Sequence, residues 1–212
     1  TYVLRESGIQ VNGTYFSQTK ALPPEARSAI TNRSPATPQL IKTVNKRSNN
    51  FFAEQLLTTI GMQVAKKGSR RTAVNRVMSW LNSIGILNRE FIMIDGSGLS
   101  RKNLIAPIST ARLLRTMYNH ADFQLYYESL PIAGVDGTLR YRMKGTAAEG
   151  NVRAKTGYVS NVRCLSGYVK DKKQRPYIFV IMVNHYSVPT SYVNQFQDNI
   201  CNILCNYNGP IP

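Results

Sequence analysis

The strongest constraint on the fold lies in the last third of the chain, where three alternating runs follow one another with only short turns between them. Val152 to Tyr158, Arg163 to Val169 and Tyr177 to Val183 each read as a strand. Connections this short join antiparallel neighbours, since a parallel crossover needs a dozen residues or more. The sequence therefore predicts an antiparallel meander, with Cys164, Leu165 and Tyr168 on its middle strand. A final helix, Ser191 to Tyr207, returns to pack on the sheet.

Upstream the pattern is mostly helical. Leu40, Ile41 and Val44 recur at helical spacing, and Phe51 through Ile60 continues it, so two helices flank a break at Ser48-Asn49-Asn50. Arg71 to Ile84 reads as an amphipathic helix stopped by Gly85, and Pro107 to His120 as a helix started by its proline. Phe91 to Ile94 reads as a short buried strand leading into a tight turn at Asp95-Gly96-Ser97-Gly98. Gly8 to Thr19 reads as strand, turn, strand, and Gly134 to Gly150 as turn-rich and polar. Together these elements define an α/β fold, an antiparallel sheet flanked by helices. At 212 residues and 42% hydrophobic content, one main domain with a real core is expected.

Lys and Arg number 27 against 11 acids, a net charge of +16 that attracts polyanions such as nucleic acid or an anionic bacterial wall. The basic residues are scattered, as in Lys66-Lys67, Arg70-Arg71 and Lys172-Lys173, which suits a solvated surface better than a specific nucleic-acid interface. Three cysteines, Cys164, Cys201 and Cys205, are too few for a disulfide framework and match no zinc pattern, which leaves buried thiols or one bridge to Cys164. No metal or other cofactor is implied. No window approaches the ~20 apolar residues of a membrane span, and no signal peptide precedes Thr1. Thr1-Tyr2-Val3 reads as mid-domain sequence, so a native N-terminus further upstream is expected.

Two short motifs carry chemistry. Lys155-Thr156-Gly157, on the first strand of the meander, offers a cation and a hydroxyl to a substrate carboxylate and a glycine for close approach to the strand edge. A surface strand explains the same three letters. Ser48-Asn49-Asn50 sits at a helix junction, where Ser48 is placed to relay a proton and Asn50 to hold a substrate amide; an N-cap for the next helix explains it equally well. Ser-x-Asn followed by Lys-Thr-Gly is, however, the ordered pair shared by serine penicillin-recognising enzymes. Ser97 and Ser100 have no neighbouring base, and His120 and His185, the two histidines, lack a triad or metal-ligand pattern.

Longer blocks extend this pair. Lys46-Arg47-Ser48-Asn49-Asn50-Phe51-Phe52-Ala53-Glu54, the run Asp95-Gly96-Ser97-Gly98-Leu99-Ser100-Arg101-Lys102-Asn103-Leu104-Ile105-Ala106-Pro107, Leu130 to Leu139, Ala154 to Gly157 and Leu165-Ser166-Gly167-Tyr168 resemble the class C low-molecular-mass penicillin-binding proteins, the D-alanyl-D-alanine carboxypeptidase/endopeptidases. The resemblance implies a penicillin-binding, serine β-lactamase-like transpeptidase fold. It also implies acyl transfer, in which a serine attacks the D-Ala-D-Ala bond of peptidoglycan stem peptides, β-lactams acylate the same serine, and water resolves the acyl-enzyme. By the same resemblance Ser48 shuttles a proton toward the leaving group, Asn50 orients the substrate backbone and Lys155 sets the electrostatics of the site. Thr156, Gly157 and Tyr158 line the strand beside which substrate lies, and Leu99, Ser100 and Arg101 contact the distal end of the stem peptide. A backbone N–H following Gly157 supplies half an oxyanion hole, the nucleophile's own N–H the other half. A periplasmic or otherwise extracytoplasmic location follows from the substrate.

Two departures stand out. Tyr158 occupies a position where this family usually has a small hydroxyl residue. The nucleophile motif Ser-x-x-Lys occurs only as Ser17-Gln18-Thr19-Lys20, in a strand context running into Pro23-Pro24 that disfavours the helix on which lysine acts as base to serine. The expectation is that residues 1–212 form the C-terminal part of the domain, incomplete on its N-terminal side, with 1–20 a return segment from an inserted lobe. A missing segment or companion chain then carries Ser-x-x-Lys. Two rivals keep other chemistry open: a non-catalytic peptidoglycan-binding module of the same fold, and a basic nucleic-acid-binding protein. A β-lactamase is a third, against which the Asp95 and Leu130 blocks speak.

Overall fold

A computed structural model describes residues 33–65 and 69–210, with isolated positions 5, 6, 8, 10, 12 and 24 before them. The chain divides into two units, 1–34 and 35–212, and the second carries all the elements named below. The strand pair expected over Gly8 to Thr19, and Ser17 with it, falls outside the described residues apart from isolated positions.

Helix α1 (Thr37–Arg47) starts with Pro38 in its first turn, where a missing N–H costs nothing. It ends with Lys46 and Arg47 against the negative end of its dipole. Helices α2 (Asn50–Ala65) and α3 (Arg70–Ser83) follow, then a two-residue pair of strands, β1 (Phe91–Ile92) and β2 (Leu104–Ile105). The expected strand over Phe91 to Ile94 is cut short because the Ile94 N–H donates to the side-chain oxygen of Asn103 at 2.8 Å, and Ile92 is exposed rather than buried. Helix α4 (Pro107–Tyr118) leads to α5 (Phe123–Ser129), a seven-residue helix that the sequence reading did not anticipate.

The predicted meander is present as β3 (Arg153–Val159), β4 (Val162–Lys170) and β5 (Pro176–Asn184), antiparallel in the order β3-β4-β5. Side chains of β4 alternate between two cores. Leu165 and Val169 pack with Phe179 of β5 and with Cys201 and Cys205 of the final helix α6 (Thr190–Asn206). Tyr168, on the opposite face, packs with Leu114 of α4, with Leu130 and with an aromatic group from α5, and donates its hydroxyl hydrogen to the Leu114 carbonyl at 2.7 Å. All three cysteines are free thiols, so no bridge joins Cys164 to α6.

The stretch from Gly134 to Gly150 is turn-rich, as expected, but its polar reading needs correction. Leu139 and Ala148 are fully buried, and Met143 nearly so, in the same core as Leu165. Single apolar residues in irregular backbone have no period to reveal them. Among the described residues no helix is long and apolar enough to cross a membrane.

Candidate active site

The α1–α2 corner sets Ser48. Its backbone is left-handed (φ 51°, ψ 50°), the conformation that terminates α1, and a non-glycine residue holds it at a cost of about 1 kcal/mol. The capping reading of this tripeptide applies to its middle residue: Asn49 Oδ1 accepts the Phe52 N–H at 2.9 Å and starts α2. Ser48 is thereby left exposed, with its hydroxyl available, and Asn50 is exposed beside it at the first position of α2.

Lys155 reaches this corner from β3. Its Nζ donates to Ser48 Oγ at 3.0 Å and to the Thr156 carbonyl at 2.7 Å, so the two motifs, 107 residues apart, meet through one hydrogen bond. Thr156 Oγ1 donates to Thr138 Oγ1 at 2.9 Å. Ala154 donates its N–H to Pro131 O at 3.0 Å, on the side of β3 away from β4. The two-residue period of a strand then aims the N–H groups of Thr156 and Tyr158 the same way, along an edge that is open beyond Ala154 among the described residues. Tyr158 is 58% exposed there.

A second set of contacts, which motif reading did not single out, fixes corner and strand to each other. Lys46, in the last turn of α1, pairs with Asp136 at 2.6 Å; Asp136 also accepts the Ile132 N–H, and Ile132 bridges Arg153 of β3. Burial holds the Lys46 ammonium below its ordinary value despite the facing carboxylate. Gly137 follows with φ +58°, and a side chain there would put its Cβ 2.8 Å from the Lys46 carbonyl oxygen, so this close approach requires glycine. Asn45 Nδ2 donates to Ser129 Oγ at 2.7 Å.

The turn at 95–101 joins the same helix. Glu54 Oε1 accepts the N–H groups of Gly96 and Ser97, each at 3.0 Å, and Glu54 lies four residues beyond Asn50, on the same face of α2. Asp95 organises the turn from within, accepting from Gly98 N, Ser100 N and Asn103 Nδ2. Partial burial acts to raise the Asp95 pKa, but the hydrogen bonds from Asn103, Ser100 and Gly98 outweigh it and hold the carboxyl below its usual range. Leu99 and Arg101 are exposed and Ser100 half-buried. Neither histidine carries a triad: His120 accepts the Asp122 N–H, and the His185 N–H bonds Asn161 O. Among the described residues no group of three or more His, Cys, Asp or Glu is placed to hold a metal.

Burial, and secondarily the Arg163 guanidinium, push the Lys155 ammonium from 10.5 down to about 8. Between these values the unfolded chain binds more protons than the folded one, so stability rises with pH. The cost of burying the charge is fully present below about 8 and relieved as pH climbs toward 10.5. We expect Lys155→Met to be more stable than the parent by about 1 to 2 kcal/mol at pH 7, with the gap closing by pH 10.5. Urea denaturation at the two pH values measures this, and a gap independent of pH would show that Lys155 is not depressed.

Comparison with known proteins identifies the family. Residues 1–206 match the D-Ala-D-Ala carboxypeptidase 3 (S13) family, and the chain belongs to that family. It is 39% identical over 169 residues to a D-alanyl-D-alanine carboxypeptidase of Actinomadura sp. (strain R39), a match covering 77% of this chain and 31% of that protein. It is 32% identical over 214 residues to D-alanyl-D-alanine carboxypeptidase DacB of Haemophilus influenzae, covering 96% and 44%. The crystal structure of penicillin binding protein 4 (dacB) from Haemophilus influenzae, complexed with a β-lactam, superimposes with a TM-score of 0.84 at 32% identity, over 96% of this chain and 49% of that one. TLA-3 extended-spectrum β-lactamase, at 16% identity and a TM-score of 0.59, shares the fold. The chain spans between about a third and a half of the length of these carboxypeptidase relatives.

Proposed function

We propose that this chain is the C-terminal part of a serine D,D-carboxypeptidase/endopeptidase that cleaves D-Ala-containing stem peptides of peptidoglycan through an acyl-enzyme and is acylated by β-lactams, outside the cytoplasmic membrane. The observation that carries this reading is the 3.0 Å hydrogen bond from Lys155 Nζ to Ser48 Oγ at an open strand edge. Substrate adds to that edge as an extra strand, its backbone facing Thr156 and Tyr158. The Tyr158 N–H is one oxyanion donor, since it points to the open side and needs no rearrangement as charge develops. Lys155, with a pKa of about 8, is poised to hold or release a proton near neutrality and to pass it through Ser48 to the departing amine. Asn50 orients the substrate amide from the start of α2. Thr156 and Gly157 line the edge, and Leu99, Ser100 and Arg101 meet the distal end of the stem peptide from the turn that Glu54 ties to Asn50's face.

The nucleophile, with its Ser-x-x-Lys partner, comes from a companion segment in this reading, and residues 1–20 are the return from an inserted lobe. Support comes from the sequence around Ser17 and from the relatives' greater length. Fluorescent penicillin, incubated with this chain alone and with the chain joined to a polypeptide bearing Ser-x-x-Lys, is expected to label only the second on a denaturing gel. Label on the chain alone would place the nucleophile here and point to Ser17. No label in either arm would favour a peptidoglycan-binding module of the same fold without chemistry.

A further inference from the structure

The turn Asp136-Gly137-Thr138 touches both sides of the site at once. At its first residue, the two carboxylate oxygens of Asp136 accept from Lys46 Nζ at 2.7 and 2.6 Å, two residues before Ser48. At its third, Thr138 Oγ1 accepts the Thr156 hydroxyl at 2.9 Å, one residue after Lys155. Between them Gly137 lies against the last turn of α1, where a Cβ would meet the Lys46 carbonyl oxygen at 2.8 Å and Pro131 Cβ at 3.1 Å. The chain just before the turn is anchored to it and to β3: Asp136 Oδ1 accepts the Ile132 N–H at 2.9 Å, and the Pro131 carbonyl accepts the Ala154 N–H at 3.0 Å.

These contacts close a ring. Ser48 leads back along α1 to Lys46, across to Asp136, through Gly137 to Thr138, across to Thr156 and back along β3 to Lys155, whose Nζ returns to Ser48 at 3.0 Å. A lysine ammonium sits on a flexible stem and a serine hydroxyl rotates, so one hydrogen bond between them fixes neither. Their separation is fixed by backbone held on both sides. The ring holds it through an ion pair whose lysine is only 11% exposed, where salt screens the attraction far less than at an open surface. We propose that the Asp136-Gly137-Thr138 turn sets the separation of Lys155 Nζ from Ser48 Oγ, with Asp136 as the positioning residue on the helix side and Thr138 on the strand side. This rests on the reading of the Lys155 edge as a D,D-peptidase site, and it adds two residues that act through Lys46 and Thr156 rather than on substrate.

The test reads geometry and chemistry separately. In this chain, the NMR resonance of Lys155 Cε, identified by its loss in Lys155→Met, follows the ammonium through its titration. In the parent it is expected to titrate near about 8, held there by burial and then by Arg163. Asp136→Asn and Thr138→Val are expected to move it up toward 10.5, since a lysine released from Ser48 regains water. Loss of a carboxylate charge acts in the opposite direction, so a rise in Asp136→Asn reports displacement. Thr138→Ser keeps the hydroxyl and holds the parent value. In the chain joined to a polypeptide bearing Ser-x-x-Lys, Asp136→Asn and Thr138→Val are expected to slow penicillin acylation by about 10- to 100-fold, the loss that a displacement of about 1 Å brings, while Thr138→Ser keeps most of the rate. Arg112→Met breaks the 2.8 Å pair with Glu90, outside the ring, and is expected to leave both readouts at their parent values. A Lys155 titration that stays at the parent value in Asp136→Asn and Thr138→Val overturns the proposal, as does an acylation rate that falls no further than in Arg112→Met. If the joined parent is not acylated, the peptidase reading falls and the titration alone decides the role of the turn.

Discussion

Lys155→Ala, in the chain joined to a polypeptide bearing Ser-x-x-Lys as the proposed reading requires, is expected to lower the rate of penicillin acylation by about a thousandfold, the usual loss when a group that moves a proton or stabilises developing charge is removed. The contact responsible is the 3.0 Å bond to Ser48, which alanine cannot make. Burial of the ammonium costs the fold stability near neutral pH, so the variant is expected to stay folded, and its urea midpoint separates lost chemistry from lost structure. Lys155→Arg keeps a charge but cannot surrender a proton near neutrality, so it should recover binding and little of the rate. A stopped-flow or gel-based acylation assay measures both variants. An unchanged rate in Lys155→Ala would remove the lysine from the reaction and with it the reading of the strand edge.

The second large effect concerns packing. Gly167 of β4 sits opposite Ala154 of β3, and a Cβ there would overlap the Arg153 carbonyl oxygen and lie 2.6 Å from Ala154 Cα. These are backbone atoms, which do not step aside as the tip of a flexible side chain does. Gly167→Ala is expected to cost about 3 kcal/mol, at the upper end of what overpacking does, and to push β3 outward with Lys155 on it. Gly145→Ala is the control: nothing lies within 4 Å of a Cβ there, so only its φ of +69° penalises alanine, by about 1 kcal/mol. Urea midpoints that fall equally in the two variants would mean that the β3–β4 approach is looser than these distances imply.

Much of the architecture was legible because it is periodic. The three strands of the meander and the helices around Ser48 follow from alternation and from apolar residues at i, i+3 and i+4, and their observed ends lie within a few residues of those read from sequence. Helix α5 escaped because Phe-Gln-Leu-Tyr-Tyr-Glu-Ser, at seven residues, is too short to establish a period, and its aromatic residues suit a strand as well. Leu139, Met143 and Ala148 escaped because irregular backbone buries residues one at a time. For the site, residue types and order pointed to Ser48, Asn50 and Lys155 as a set, through a resemblance carried by motifs. The ties between them were not legible. Lys46 and Asp136 are 90 residues apart, and Thr138 meets Thr156 across 18, separations at which sequence spacing carries no contact information. Lys46 and Asp136 both fall within the blocks that carried the resemblance, which was a signal that they matter without a signal of how.

The hydrogen bond between residues 48 and 155 also has a bearing on when the site exists at all. Closing a contact across 107 residues costs loop entropy before the contact rewards it, so it is expected to form after the local helices and the meander. A partly folded molecule that has formed its meander and its helices separately carries each motif in native local structure and yet has no site. On the proposed reading, reactivity toward β-lactams would then begin only with the completed fold, however early the helices and the meander form on their own.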